Sequence, residues 1–354
     1  MVAFSELREI GENLARFASI REKAETPMDR IVIQSSGGEL KLIAGNFQST
    51  IIATVGKTDL PAGRAVVSSR LLLNTFKTLK GKGEADFILR DDGAVIKTGF
   101  GSAIEMPGMD MVKFLRPVPE PWTVDEYAVG FDAGFLPSAT KYLSACIGDF
   151  SPFNQVVLRA TDAGGYLEAN DNHIGVHIDG LMSTEAFTQH FPGEAFPALK
   201  GLADKGWFWF PPRVDLQAER AQIYSGRYAV VMVLWPSAPS FPKVADQDYT
   251  VKVSGNRRVL IDTFKSLAGR HEHNRVVMEA SDGAFTVLGG DNGKAKIDVS
   301  VTGVGKLPVN ATYMAKVLNT VDGTNVTIEY SDSPSLVRIV GDKNPWPIRL
   351  APMK

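Results

Sequence analysis

The sequence contains a single cysteine, Cys146, so no disulfide can close within the chain. Set among apolar neighbours on a predicted helix, that thiol reads as a small buried hydrophobe, not a nucleophile. A reducing compartment, the cytoplasm, is the expectation. No apolar run approaches the about 20 residues that a helix needs to span a bilayer, so no membrane partner is expected. The opening MVAFSELREIGENLARF carries charges throughout and reads as an amphipathic helix, not a signal peptide. Histidines are few (His173, His177, His190, His271 and His273), and they do not join cysteines or acids at ligand spacing. No metal site and no cofactor are therefore expected. Asp171-Asn172-His173 and His271-Glu272-His273 fall short of a ligand set. The glycines around Phe100 and at 289, 290 and 293 lack the strand–loop–helix context, with Lys-Ser/Thr, that cradles phosphate. No nucleophile–base motif is present, so no catalytic residue is assigned. Net charge is only −2, which excludes a global basic field; any nucleic-acid contact must gather its cations on one surface.

What the chain does have is length and repetition. Its 354 residues suit two or three domains of about 100–150 residues each. Three windows, 31–46 (IVIQSSGGELKLIAGN), 156–171 (VVLRATDAGGYLEAND) and 276–291 (VVMEASDGAFTVLGGD), match without a gap. Each alternates apolar and polar residues around a Gly/Asp/Ser turn, the pattern of a β-hairpin. Near-constant spacing of the three argues for repeated domains.

Helices fall at matching offsets. Before each hairpin lies an amphipathic stretch, at 4–17, 135–147 and 257–268. After the first and third hairpins, 68–81 (SSRLLLNTFKTLKG) and 310–323 (NATYMAKVLNTVDG) align, both beginning on a capping residue. The middle copy, 193–206 (GEAFPALKGLADKG), is the most diverged. Strand pairs are expected over 85–97, 206–223 and 325–340. Proline-rich stretches at 117–122 and 236–243 mark junctions, so the expected domains are 1–122, 123–243 and 244–354. The fold class is α+β, each domain having two helices packed on antiparallel sheets.

Cations recur on the polar sides of these helices. Arg258 and Lys265 lie opposite an apolar stripe, Arg70, Lys77 and Lys80 share the second helix region, and Lys141, Lys200 and Lys316 sit on corresponding segments. Loops add Arg21, Lys23, Arg270, His271, His273 and Arg275. Singly, each is an ordinary solvated side chain. As a set on equivalent helices they describe one surface, suited to phosphates of any duplex sequence. No helix-turn-helix, zinc finger or base-stacking motif points to sequence-specific reading.

Taken together, the three-fold helix–hairpin–helix order, the segment ANDNHIGVH at 169–177, Phe241-Pro242 and the ending Leu350-Ala351-Pro352-Met353-Lys354 resemble the bacterial DNA polymerase III β sliding clamps, over essentially the whole chain. The resemblance implies three tandem clamp-type domains, half of a six-domain ring closed by a head-to-tail homodimer. It implies sequence-independent binding to double-stranded DNA, with polymerases and clamp-loader proteins held by short peptides. The implied peptide pocket is Phe153, Asn170, Asn172, His173, Ile174, Gly175, Pro242, Val244, Ala351, Pro352 and Met353. The implied dimer contact sets Leu267 and Ala268 against Ile104 and Met106. Departures are specific: Ile174-Gly175 stands where the family has arginine then leucine, and Ala351 replaces a methionine. That is divergence of the kind a phage- or mobile-element-encoded clamp would show. Two alternatives stay open: a monomeric clamp-fold adaptor that binds polymerase or repair peptides without encircling DNA, and a hydrolase built of repeated α+β domains.

Overall fold

A computed structural model of the chain describes residues 1–18, 29–46, 48–109, 128–151, 153–210, 220–235, 248–269, 272–281, 283–290, 293–332 and 335–353. The first unit runs β1 (Val2–Ala3), α1 (Phe4–Leu14), β2 (Arg30–Ser36), β3 (Glu39–Gly45), β4 (Ser49–Lys57), β5 (Gly63–Ser68), α2 (Ser69–Thr78), β6 (Glu84–Arg90), β7 (Gly93–Thr98) and β8 (Ala103–Pro107). The second runs β9 (Ala128–Phe131), α3 (Phe135–Cys146), β10 (Gln155–Thr161), β11 (Gly164–Asn170), β12 (Ile174–Leu181), β13 (Phe187–Pro192), a 3-10 turn (Phe196–Gly201), β14 (Gly206–Trp209), β15 (Arg220–Ser225) and β16 (Tyr228–Val233). The third runs β17 (Val251–Asn256), α4 (Arg257–Leu267), β18 (Arg275–Ser281), β19 (Ala284–Gly289), β20 (Gly293–Ile297), β21 (Ser300–Thr302), β22 (Gly305–Asn310), α5 (Ala311–Thr320), β23 (Asn325–Tyr330), β24 (Val337–Gly341) and β25 (Asn344–Leu350). The architecture is α+β with antiparallel sheets, and the three expected hairpins are β2–β3, β10–β11 and β18–β19. The boundaries expected at 122/123 and 243/244 lie outside the described residues. No helix among the described residues is long and apolar enough to cross a membrane.

The helices form where periodicity and caps agree. Phe4, Leu7, Ile10 and Leu14 of α1 are all buried, as are Leu260, Ile261, Phe264 and Leu267 of α4. Ser68 accepts the Leu71 N–H at the start of α2, and Asn310 accepts the N–H groups of Thr312 and Tyr313 at the start of α5. Such caps contribute about 1 kcal/mol each. The helix expected over 193–206 is corrected to the short turn Phe196–Gly201. Gly193 presses on the Asn154 backbone, and a Cβ at Gly201 would collide with the Asn13 side chain. Glycine is needed at both places, and it weakens helix.

Four sheets carry the strands, and two of them ignore the unit boundaries. The order β5-β2-β3-β4-β16-β15-β14-β9 makes one eight-stranded sheet from the first and second units. The order β13-β10-β11-β12-β25-β24-β23-β17-β21 makes one nine-stranded sheet from the second and third. The joins are β4–β16, with Tyr228 opposite Ala53, and β12–β25, with Ile174 opposite Leu350. What remains is a four-stranded sheet in the first unit, β1-β6-β7-β8, and another in the third, β20-β19-β18-β22.

Side chains reinforce both joins. Arg227 pairs with Glu6 at 3.3 Å and the Tyr228 hydroxyl donates to Glu9 at 3.2 Å. At the second join Lys141 pairs with Asp322, whose backbone N–H donates to the Tyr142 hydroxyl at 2.9 Å. Trp346 packs edge-on against Phe135 and Tyr142. Burial pushes the Tyr142 and Tyr228 phenols up to about 12, which marks both joins as poorly hydrated. The helices also touch in a row: α2 on α1, α1 on the 3-10 turn, that turn on α3, α3 on α5, and α5 on α4.

Candidate functional site

The turn between β11 and β12 is built by its own polar side chains. Asp171 accepts the N–H groups of His173 and Ile174 through one carboxylate oxygen, and Asn170 accepts that of Asn172 at 2.7 Å. Asn172 takes a positive φ of 75°, which asparagine tolerates better than most residues. Asp171 is thereby a turn former, and among the described residues no three His, Cys, Asp or Glu side chains group as metal ligands. The other Asp171 oxygen lies 3.8 Å from Lys316 on α5, so the turn is tethered to the third unit.

Around this turn the second and third units meet. His173 is exposed and stacks on Tyr313 of α5, ring centroids 4.9 Å apart. Burial, with Asp171 and Asp149 adding to it, raises the Tyr313 phenol above its usual range. The chain end crosses beside them: the Ala351 N–H donates to the His173 carbonyl at 2.7 Å, and the Met353 N–H to the Pro308 carbonyl at 2.9 Å. Ala351, Pro352 and Met353 are half-buried there. Phe153 closes the loop after α3, where Gly148 donates to its carbonyl, and Phe150 in the same loop is 79% exposed. Gly175 follows on β12, opposite Arg349.

The structure thus brings Asn170, Asn172, His173, Gly175, Ala351 and Met353 to one junction. Ile174 is corrected: its side chain is buried in the core beneath the turn and lines no surface. Pro242 and Val244 lie outside the described residues. Tyr313 and Phe150 were not singled out from sequence; the available signal was an aromatic off the apolar stripe of α5 and another in a polar loop. Cys146 is buried, as expected, and burial pushes its thiol up.

Two further sets can be placed. Arg70, Lys77, Lys80, Lys200, Arg258, Lys265, His273 and Lys316 are exposed, on or beside the connected row of helices and the 3-10 turn. Lys141 and Arg275 are half-buried. Arg258 pairs with Asp262 one turn on, and Lys141 and Lys316 also hold carboxylates across the second join. Arg21, Lys23, Arg270 and His271 lie outside the described residues. Of the contact residues, Met106 and Leu267 are corrected: both are buried in the chain's own core, Leu267 against Gly289 and Gly293. Ile104 and Ala268 are half-buried at its margin.

The edges of the two four-stranded sheets are unequal. β1 has two residues, while β22 has groups already taken, the Pro308 carbonyl by Met353 and the Lys306 N–H by Asp332. β8 and β20 have five residues each, and both present alternating faces. Glu105 of β8 is exposed, with Arg90 at 3.5 Å; Lys294 and Lys296 of β20 are exposed. Ile104 and Ala295 lie half-buried on the inner faces.

No family model matches the sequence, and no curated protein matches it. Solved structures do match by fold. The DNA polymerase III β subunit of Pseudomonas aeruginosa superposes with a TM-score of 0.80 at 16% identity, over 100% of this chain and 99% of that one. The β subunit of Thermotoga maritima gives 0.81 at 14%, over 100% and 99%. A Pseudomonas aeruginosa sliding clamp bound to griselimycin gives 0.80 at 16%, over 100% and 98%. From one end to the other, this chain has the fold of the bacterial DNA polymerase III β sliding clamps.

Proposed function

We propose that the protein is a sliding clamp, a non-enzymatic processivity factor. Two copies close head to tail around duplex DNA, and the ring tethers a polymerase and other partners through the cleft at the second–third junction. The observation that carries this reading is the state of the sheets. Both internal joins are made by strand pairing, and the chain is left with two half-sheets ending in β8 and β20. Pairing β8 of one copy with β20 of the next would make an eight-stranded sheet like the one that joins the first two units. Such a contact is heterologous, and it yields a ring only if the rotation closes. Acidic Glu105 would then face basic Lys294 and Lys296, and Ile104 and Ala295 would be covered. On this reading the domain divisions are 1–122, 123–243 and 244–354.

Solution mass tests it directly. Light scattering across a concentration series at moderate salt is expected to give about twice the 38.4 kDa chain mass. A persistent monomer would overturn ring closure in solution and favour the adaptor, which needs only the cleft.

The cations on the helix row are read as the phosphate-facing surface, binding weakly enough to slide. Charge reversal at Arg258 and Lys265 is expected to lower DNA affinity and flatten its dependence on salt, by roughly one counterion for each lost phosphate contact. An unchanged salt slope and unchanged processivity would remove α4 from that surface.

A further inference from the structure

The first join repeats the hydrogen-bond frame of the second. In the turn between β3 and β4, Asn46 accepts the N–H groups of Gln48 and Ser49 through its amide oxygen, at 2.9 and 2.8 Å, and its own N–H donates to the Ser49 carbonyl. Asp171 makes the same bonds with His173 and Ile174. The chain at the end of β16 crosses this turn as the chain end crosses the other. The Val233 N–H donates to the Gln48 carbonyl at 2.8 Å, and the Trp235 N–H to the His190 carbonyl at 2.9 Å. Ala351 and Met353, spaced alike, donate to the carbonyls of His173 and Pro308. Even the far anchors correspond. His190 of β13 lies opposite Val157 of β10, and Pro308 of β22 lies opposite Val277 of β18, equivalent positions in two of the repeated windows.

Inside this shared frame the side chains differ. Where His173 stacks on Tyr313, the Gln48 amide donates to Glu194, just ahead of the 3-10 turn. Glu194 is exposed, and among the described residues no ion pair holds it. A neutral amide leaves its charge uncompensated. His190 brings no countercharge: it is buried, and that burial, with Arg159 adding to it, keeps its imidazole below the usual range. Val233 and Trp235 are half-buried beside the Gln48 turn. At the second junction the corresponding acid, Asp171, is engaged by its own turn and by Lys316.

We propose that the first–second junction is a second partner site, one that takes an extended peptide segment carrying a lysine. The ammonium is held by Glu194, and the apolar part of the segment lies on Val233 and Trp235. The inference rests on the reading of the second–third junction as a partner site, whose frame is repeated here. A lysine suits the surroundings because its stem covers apolar surface while its head keeps its charge. A carboxylate also binds an ammonium more strongly than it binds a neutral amide. The two junctions then sort partner segments by charge.

Fluorescence anisotropy on the full chain tests this with two sets of labelled hexapeptides made of leucine, phenylalanine and serine. In one set a single lysine is walked through the positions; in the other a glutamine takes its place. At low salt, at least one lysine peptide is expected to bind about tenfold more tightly than its glutamine counterpart. The preference should shrink as salt rises. In Glu194→Gln it should vanish while the glutamine peptides keep their affinity, with circular dichroism matching the parent. Truncation after Leu350 should leave the preference unchanged, which separates this site from the other cleft. Equal binding of the two sets by the parent protein, or none by either, overturns the inference. So does a preference that survives Glu194→Gln or is lost on truncation. Each of these leaves the second–third cleft to its own test with a polymerase-derived peptide. Failure of that peptide to bind the parent, beside a lysine preference that depends on Glu194, would sink the cleft reading and leave this site in place.

Discussion

Replacing both Lys294 and Lys296 with glutamate is expected to leave the protein folded but monomeric at 38.4 kDa. The two lysines are exposed on β20, so their own unit loses no packing when they change. In the proposed ring they face Glu105 across the seam. Reversal turns attraction into like-charge contact, which costs several kcal/mol at an interface and raises the dimer Kd on the order of a hundredfold or more. Processivity on circular DNA should fall with it. The companion change Glu105→Lys should restore the dimer in the triple variant, because it returns opposite charges to the same positions. Rescue distinguishes a local charge contact from a general loss of structure. If the reversed variant stays a dimer, β20 is not the closing edge.

Truncation after Leu350 is expected to abolish partner-peptide binding and leave the dimer intact. The deleted segment donates to the His173 carbonyl and to the Pro308 carbonyl, one in each of the two units that form the cleft. It also covers the surface beside the His173–Tyr313 stack. β25 remains complete, so the nine-stranded sheet keeps its pairing. Titration of a polymerase-derived peptide by anisotropy checks the first expectation, and light scattering the second. Unchanged peptide affinity would remove the chain end from the site.

Much of the fold was legible in the sequence because local and tertiary signals agreed. The hairpins announce themselves by alternation around a glycine turn, and α2 and α5 by capping residues followed by an apolar stripe. Agreement failed at 193–206, where apolar spacing looked helical while Gly193 and Gly201 served close packing against Asn154 and Asn13. Strand partners beyond these hairpins were not legible. Nothing in the segment YAVVMV tells that it pairs with β4 of another unit, since pairing across more than a hundred residues leaves no local trace. The same limit applies to the site. The resemblance put ANDNHIGVH at the peptide pocket, yet the inward direction of Ile174 depends on its pairing with Leu350. Met106 was misplaced for a related reason: an apolar residue near a sheet edge faces the core or a partner according to strand phase, which shifts by one residue; Leu267 ends the buried stripe of α4.

The woven joins have a mechanical meaning. Units tied by flexible linkers would leave their relative angle to the linkers, and a closed figure would then be one conformation among many. Here each internal bend is the twist of a continuous sheet, fixed by strand pairing and by buried tyrosines at its inner side. Curvature becomes a property of the backbone, shared over eight or nine strands, and in the proposed ring each copy would arrive at its partner already bent. The entropy of finding a closing angle would then have been spent in folding. In the proposed ring the β8–β20 seam would be the part left free to open, so strain applied by any loading machine would collect there.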